Sequence, residues 1–420
     1  MSDDEIEGTV RDLTRFGEGV VKTEQGAVFA PGTLPGERVA VGNVRKRGKA
    51  LRASRVRILD SSGQRVDPPC PIVGRCGGCP LMIATRPLQE KFKRGLLQQA
   101  LDGLPGADEV ALGWVGTKES LGYRRRARLS WTRSPAGLRL GYHPPRSDKV
   151  ADVRACAVLH PTLDRGYRAV RRALDRHLVD HGELHLAAGA GDRPVAALRS
   201  EEPQPPEVYR ELEQLVEDGR LAGAALRCGG AATDATWGDP RERRVGVDGE
   251  PLVGTVAGFS QAHDTVNRAL VGRVIELASP AKRHVLELFS GAGNLTVALA
   301  REAATLLAIE QDEAAAEACR ENLRARGLDA TVRTDDAESY RAPERPDVVV
   351  LDPPRTGAPG AMRRILRLEP SVVVYVSCDP PTLGRDLKVL VNGGYTATDA
   401  IGLDMFPQTA HLECVVRLER

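Results

Sequence analysis

No apolar stretch in the chain approaches the roughly 20 residues needed to cross a bilayer. The first residues, Met1-Ser2-Asp3-Asp4-Glu5, are acidic and lack the apolar core of a secretory leader. Together these absences predict a cytoplasmic protein with no membrane partner, in a compartment where thiols stay reduced and structural disulfides are rare. Internal repeats and long low-complexity segments are also missing, which excludes a solenoid or a disordered scaffold. A large charge of one sign is absent as well, since the net charge is only +2.

What is present is uneven. At 420 residues and 41% apolar content the chain has material for two or three domains, each with its own core. The basic residues cluster. Arg38 to Arg57 holds eight Lys or Arg and no acid, and Tyr123 to Arg154 holds nine against two Asp. Such stripes on a near-neutral chain point to a polyanion, although solvated charge on strands and loops is the ordinary alternative.

Between Ile6 and Ile58, short segments (Thr9-Val10, Val20-Val21, Ala27-Val28-Phe29, Arg38-Val39-Ala40-Val41) alternate with turns at Phe16-Gly17-Glu18-Gly19, Pro31-Gly32 and Leu34-Pro35-Gly36-Glu37. Regular short strands with Gly and Pro between them predict a small β-barrel. The Gly17/Gly19 loop, the Pro35-Gly36-Glu37 turn and the basic stretch after it resemble a TRAM domain, an OB-like RNA-binding barrel.

Three cysteines follow within ten residues, Cys70, Cys76 and Cys79, the last two separated by Gly77-Gly78. In a reducing compartment they read as ligands, and a four-thiolate site needs one more cysteine, for which Cys156 is the candidate. Spacing leaves both tetrahedral zinc, the commoner occupant, and an iron–sulfur cluster open. Leu88, Phe92, Leu96 and Ala100 stand at helical spacing. Tyr123-Arg124-Arg125-Arg126-Ala127-Arg128-Leu129-Ser130-Trp131 and Leu138 to Tyr142 read as a basic hairpin, with arginine for phosphates and aromatic faces for unpaired bases. Residues 162–177 predict another helix.

After Gly254 the periodicity is strongest. Asp264 stands as a candidate cap for a helix with Val266, Leu270, Val274 and Leu277 on its apolar face. The strand His284–Leu288 then enters Phe289-Ser290-Gly291-Ala292-Gly293-Asn294, a glycine loop that opens a helix and lets backbone amides approach a nucleotide-like ligand. A dinucleotide fingerprint wants a third glycine at 296, where Thr stands; adenosylmethionine has no pyrophosphate and does not need it. The next strand ends at Glu310, an acid placed to accept from ribose hydroxyls, and a third ends in Asp335-Asp336, facing the adenine. A fourth ends in Asp352-Pro353-Pro354-Arg355. Strands and helices in alternation, with polar residues at strand ends, predict an α/β, Rossmann-like class I methyltransferase domain.

The β-branched run Val372 to Val376 ends in Ser377-Cys378-Asp379-Pro380. A free cysteine is more often packing than chemistry. Asp352-Pro353-Pro354 also admits an RNA amino-methyltransferase, in which an exocyclic amine attacks unaided and Cys378 is idle. Methylation at C5 of uracil is harder: a thiolate must add at C6 to make C5 nucleophilic, and a base must then remove the C5 proton. Cys378 can supply the thiolate and Glu413 the base. A free thiol titrates near about 8.5, so a cation must favour the thiolate, with Arg385 and Lys388 as neighbours in sequence. A non-catalytic RNA-binding or redox-sensing protein is the third class; it would bind no adenosylmethionine.

Phe259-Ser260-Gln261, Leu288 to Thr296, Leu351-Asp352-Pro353-Pro354-Arg355-Thr356-Gly357, Val376 to Pro380 and Asp404 to Glu413 together resemble the RNA uracil-5-methyltransferases, over nearly the whole chain. That resemblance implies Cys378 as nucleophile and Glu413 as base. It implies adenosylmethionine contacts at Gln261, Phe289, Asn294, Glu310, Asp336 and Asp352. The branch with a TRAM domain implies a [4Fe-4S] cluster on Cys70, Cys76, Cys79 and Cys156, in place of zinc. The implied substrate is a uridine of RNA, 23S ribosomal RNA first and transfer RNA as the alternative, flipped out of its stack before attack. The implied organisation is a monomer with a TRAM-like barrel at 1–58, a mixed α+β central domain at 59–250 carrying the cysteines and the hairpin, and the methyltransferase domain at 251–420. The chain departs from the family at Ala262-His263, where Val-Asn is common, and at Leu81-Met82, where Gln-His is common. Cys228, Cys319 and Cys414 are read as packing residues.

Overall fold

The structure, a computed structural model, describes residues 5–48 and 50–420. The acidic start Met1–Asp4 and Lys49 of the basic run lie outside the described residues.

The N-terminal segment forms a seven-stranded sheet, in which the strand Ile6–Leu13 pairs antiparallel with both Gly19–Thr23 and Arg38–Gly42. A register shift between Val10 and Asp12 bends that strand, as a bulge does, and lets the sheet curl around Val10, Val21, Val28, Val39 and Val41. This β-rich unit fits the OB-like TRAM expectation. The strand Arg45–Arg47, which is exposed throughout, forms one edge of the sheet.

A second seven-stranded sheet runs from Ala151–Asp152 through Gly137–Tyr142, Arg126–Ser134, His181–Ala188, Pro194–Arg199 and Gly223–Arg227 to Ala235–Gly238. Its one parallel pair, Pro194–Arg199 with Gly223–Arg227, is bridged by the helix Pro206–Glu217, as a parallel connection requires. That helix and Pro161–Leu174 bury Leu163, Tyr167, Val170, Val208 and Leu212 against one face of the sheet. The other face packs Ala187, Val195, Ala197 and Ala225 against Val256.

The third sheet has eight strands. Thr331–Thr334, Thr305–Glu310, His284–Leu288, Val348–Leu351 and Val372–Ser377 lie parallel in that spatial order. Next to them Glu413–Glu419 runs antiparallel, between Val372–Ser377 and Thr396–Leu403. The outer strand is Ala111–Val115, parallel to Thr396–Leu403. Val348–Leu351 and Val372–Ser377 are buried at every position, which explains their unbroken β-branched runs. The segment 86–115 therefore contributes a helix and a strand to the third unit, although it precedes the central sheet in the chain. The helix Arg86–Leu101 packs on Pro380–Asn392 so closely that a Cβ at Gly384 would lie 2.6 Å from the Ala100 carbonyl oxygen.

Two local expectations change. Helix Asp264–Ala278 is capped by His263 without a side-chain bond, and the Asp264 carboxylate instead accepts from Arg125 Nε at 2.8 Å. On helix Arg86–Leu101, Leu88 and Phe92 are half-buried while Gln89 and Lys93 are fully buried. Both polar side chains have partners in the loop before the last strand. Lys93 Nζ donates to Asp404 Oδ1 at 2.5 Å and to the Phe406 carbonyl at 2.8 Å, and Gln89 exchanges bonds with Gln408. Arg86 also binds Asp404. No helix among the described residues is long and apolar enough to cross a membrane.

Removing one member of a buried pair leaves the other charge under-compensated. Lys93→Met should lower the unfolding free energy by about 3 kcal/mol, read from the urea midpoint with an unchanged m-value.

Candidate active site

Cys378 leaves the buried strand Val372–Ser377 half-buried, and Asp379 then starts the helix Pro380–Asn392 by accepting from Thr382 N. The antiparallel register pairs Ser377 with Cys414. Glu413, one residue earlier on the returning strand, therefore faces the Cys378 end of its neighbour. It is 2% exposed.

Burial, with Asp352 second, raises the Glu413 carboxyl well above the usual carboxylate range. Burial also pushes Asp352 up to about 7, against a bond from Gln261. The Cys378 thiol is pushed up to about 12 by burial and then by Glu413 and Asp352, and Arg355 is the cation that opposes this. Arg385 does not fill that part: it binds Asp386 and the Thr356 carbonyl. Lys388 is exposed on the following helix. His411, 3.4 Å from Arg355, is lowered to about 4 by burial and then by that cation. No pattern in the sequence marked Arg355 for this role beyond its place after Asp352-Pro353-Pro354.

Cys378 opens on a cavity of about 360 Å³. Its wall combines Arg15, Phe16 and Glu18 of the N-terminal unit with Gly77-Gly78, Arg146, Arg355 and His411. Glu18, buried, holds Arg52 of its own sheet and Arg146 of the central segment.

A second, narrower cavity lies beside the glycine loop. Gln261, Phe289, Asn294 and Asp352 line it together with Arg244, Glu287 and Ser290. Phe289 (φ 62), Gly291 (φ 55) and Gly293 (φ 92) all adopt left-handed backbone, and a Cβ at Gly293 would stand 2.9 Å from Cys319 Sγ. The buried Cys319 is thus packing beneath the loop. Glu310 and Asp336 are not on this wall. Glu310 holds the loop instead, accepting from Gly291 N and Asp312 N at 2.8 Å each, while Asp336 is exposed and accepts from Glu338 N. Three buried polar atoms of the wall lack a partner among the described residues: Gln261 Oε1, Glu287 Oε2 and Ser290 Oγ. Orphaned acceptors and a hydroxyl converging on this cavity fit a ligand that brings its own donors, as the amine and hydroxyls of adenosylmethionine do.

The four candidate metal ligands are half-buried neighbours. Cys70, Cys79 and Cys156 pack around Met82, Tyr123 and Val158. Burial and then the charges of Cys156 and Cys76 push Cys79 up to about 12, and the half-buried Arg124 opposes them. Among the described residues, however, no group of three or more His, Cys, Asp or Glu side chains is drawn together as a metal shell. The thiols are within electrostatic reach of one another without converging. Their donor chemistry fits either a zinc ion or an iron–sulfur cluster.

The basic hairpin forms, but its side chains are committed. Arg125 binds Asp264 and Asp192, Arg126 binds Glu242, and Arg128 binds Glu183. Trp131 is 1% exposed and donates to Val179 O, and Tyr123 is buried, stacked on His263. These aromatics are core, contrary to the expectation of base-stacking faces. The aromatics that are exposed are Phe16, on the Cys378 cavity, and Phe259, on the other.

A parallel sheet with a glycine loop after its central strand and a ligand cavity at its carboxyl end defines a class I methyltransferase. A family profile described as "Conserved hypothetical protein 95" matches residues 264–386. The 23S rRNA (uracil(1939)-C(5))-methyltransferase RlmD of Pectobacterium atrosepticum is 34% identical over 96% of this chain and 91% of its own length. RlmD of Klebsiella pneumoniae is 36% identical over 98% and 95%. The solved structure of Pyrococcus abyssi tRNA (uracil-54, C5)-methyltransferase in complex with S-adenosyl-L-homocysteine superposes with a TM-score of 0.79 at 25% identity, covering 98% of this chain and 99% of that one. The chain belongs to the RNA uracil-C5 methyltransferase family.

Because the Cys378 thiol is held up, the thiolate fraction at a given pH is small and grows about tenfold per unit as pH rises toward that value. Iodoacetamide should therefore label Cys378 faster with rising pH. Arg355→Gln should slow the labelling about tenfold, equivalent to one unit of pKa, as followed by mass spectrometry of the Cys378 peptide.

Proposed function

We propose that the protein methylates C5 of a uridine in 23S ribosomal RNA, with Cys378 as nucleophile and Glu413 as base. The activity at the level of adenosylmethionine-dependent uracil-C5 methylation of RNA follows from its family. The assignment of roles rests on one observation: the strand register that sets the half-buried thiol of Cys378 beside the buried carboxyl of Glu413, with Asp352 on the adjoining cavity wall.

The flipped uracil occupies the Cys378 cavity, whose wall brings Arg15, Arg146 and Arg355 to the flanking phosphates. Cys378 loses its proton to water beside Arg355, and the thiolate sulfur bonds to C6, moving the C5=C6 electron pair to C5. Adenosylmethionine would supply an electrophilic methyl group, which C5 takes with that pair as the sulfonium–methyl bond breaks and the thioether S-adenosylhomocysteine leaves. Glu413 then removes the C5 proton; the released electron pair re-forms C5=C6 and expels the Cys378 thiolate. Burial holds Asp352 and Glu413 toward their neutral forms. A positively charged ligand in the neighbouring cavity favours the ionised forms that proton removal needs. Gln261, Phe289, Asn294 and Asp352 would hold the donor directly, and Glu310 would act on it through the glycine loop that it fastens, with Asp336 outside that wall. Cys70, Cys76, Cys79 and Cys156 would hold a [4Fe-4S] cluster in preference to zinc, as a structural group outside these steps.

The ribosomal substrate is favoured over a transfer RNA because the relatives at 34% and 36% identity are named for 23S rRNA, whereas the transfer RNA enzyme is 25% identical. Mapping 5-methyluridine by mass spectrometry in both RNAs of a deletion strain decides between them.

Cys378→Ala should abolish methyl transfer; retention of full activity would return the Asp352-Pro353-Pro354 turn to amine chemistry. Glu413→Gln should stop after methyl transfer and leave an RNA–protein adduct that survives a denaturing gel, absent in the Cys378→Ala, Glu413→Gln double variant. Anaerobically purified protein should contain iron and absorb in the visible range, whereas zinc without iron would refute the cluster.

A further inference from the structure

The helices Pro161–Leu174 and Pro206–Glu217 cover the face of the central sheet that points away from Val256 and the adenosylmethionine-type cavity. Between them runs an open groove floored by Ala169 and Ala173, small side chains one helical turn apart. Six arginines line it, against two carboxylates, Asp175 and Glu211.

The arginines differ in what they do. Arg171 is largely buried and tied to Asp152 and Tyr167, and Arg168 pairs with Asp164 one turn earlier. Arg172 and Arg176 are exposed and have no carboxylate partner among the described residues. Arg154, whose side chain is 85% exposed, and Arg220 reach carboxylates only at 3.6 and 3.9 Å. Arg168 and Arg172 stand one turn apart on the helix Pro161–Leu174, Arg176 follows just beyond its end, and all three line the groove.

We propose that this groove is a second RNA-binding surface, which takes the sugar–phosphate backbone of a duplex remote from the target uridine. The proposal rests on the reading of the protein as an RNA methyltransferase. Guanidinium forks match phosphate oxygens in pairs. Among the described residues no Phe, Tyr or Trp lines the groove and its one ring is that of His177, so a run of unpaired bases finds no series of faces to stack on, whereas a double helix recognised through its backbone needs none. An acidic protein would want an apolar anchor, and the only large apolar side chain on the wall is Leu215. Because the groove lies on the opposite face of the central sheet from the cofactor cavity, only an RNA longer than the segment filling the catalytic cleft can engage both.

The test compares the wild-type full chain with the Arg154→Glu, Arg172→Glu, Arg176→Glu variant. Arg172 and Arg176 have no carboxylate partner among the described residues and Arg154 gives up one long ion pair to Asp152, and an unchanged melting temperature and circular dichroism spectrum show that the fold is kept. On a full-length 23S rRNA transcript the variant should raise KM about tenfold with kcat unchanged. The slope of log affinity against log salt should fall by about three, close to one per lost phosphate contact. On a short hairpin carrying the target uridine both constants should match wild type, and replacing the same three positions with Lys should restore most of the loss. Equal KM values on the long transcript would overturn the proposal, as would an equal loss on the short hairpin. Unchanged RNA affinity with lost binding to polyglutamate would overturn it too, assigning the groove to an acidic protein. If the wild type methylates neither substrate, the assignment to ribosomal RNA fails instead.

Discussion

The antiparallel return of Glu413–Glu419 into an otherwise parallel stack is the constraint on which the site depends. A parallel sheet aligns its strand ends, so Leu288, Leu351 and Ser377 all finish at one edge. The last strand begins where those end, and its first residue is an acid. Pairing of Ser377 with Cys414 then leaves no freedom: Glu413 must stand next to Cys378. A slip of one residue would turn the carboxyl to the opposite face of the sheet.

Holding this register is costly. Asp352, Glu287 and Glu413 are acids without a cation bonded to them, and burial raises all three, Glu287 up to about 8. The fold offsets the cost elsewhere. Lys93 and Arg86 clamp Asp404, and Gln89 clamps Gln408, so the loop leading into the last strand is fastened to a helix more than three hundred residues earlier in the chain. That helix is itself packed on the one beginning after Cys378. Nucleophile and base are thus fixed to a common support.

The substrate side is assembled differently. No single unit makes the Cys378 cavity; the N-terminal sheet, the cysteine-bearing segment and the methyltransferase unit each supply a wall. Glu18 draws Arg52 and Arg146 together across two of them. Ion pairs from a buried carboxylate to partly exposed arginines are modest sources of stability but demanding in geometry, which suits a joint whose task is to place an RNA-facing loop accurately. A Cβ on Gly77 would lie 2.8 Å from the His143 carbonyl oxygen, so the cysteine loop sits equally close against the same segment.

The alternation of strands and helices after 254, the glycine loop and the acids at strand ends were legible in the sequence because they depend on local periodicity and on turn chemistry, which neighbouring residues dictate. Cys378 and Glu413 could be singled out as a nucleophile and a base for the same reason, each lying in a short, chemically distinctive run. What local pattern cannot carry is who faces whom. Arg355 rather than Arg385 faces the thiol, and Trp131 and Tyr123 are core rather than stacking platforms. Lys93 belongs to a buried face and not to a solvated one, and Ala111–Val115 joins a sheet whose other strands begin at residue 284. Each of these was decided by partners far away in the chain. The energy of a buried charge or an aromatic ring is set by the groups that tertiary packing brings to it, and not by the residues on either side.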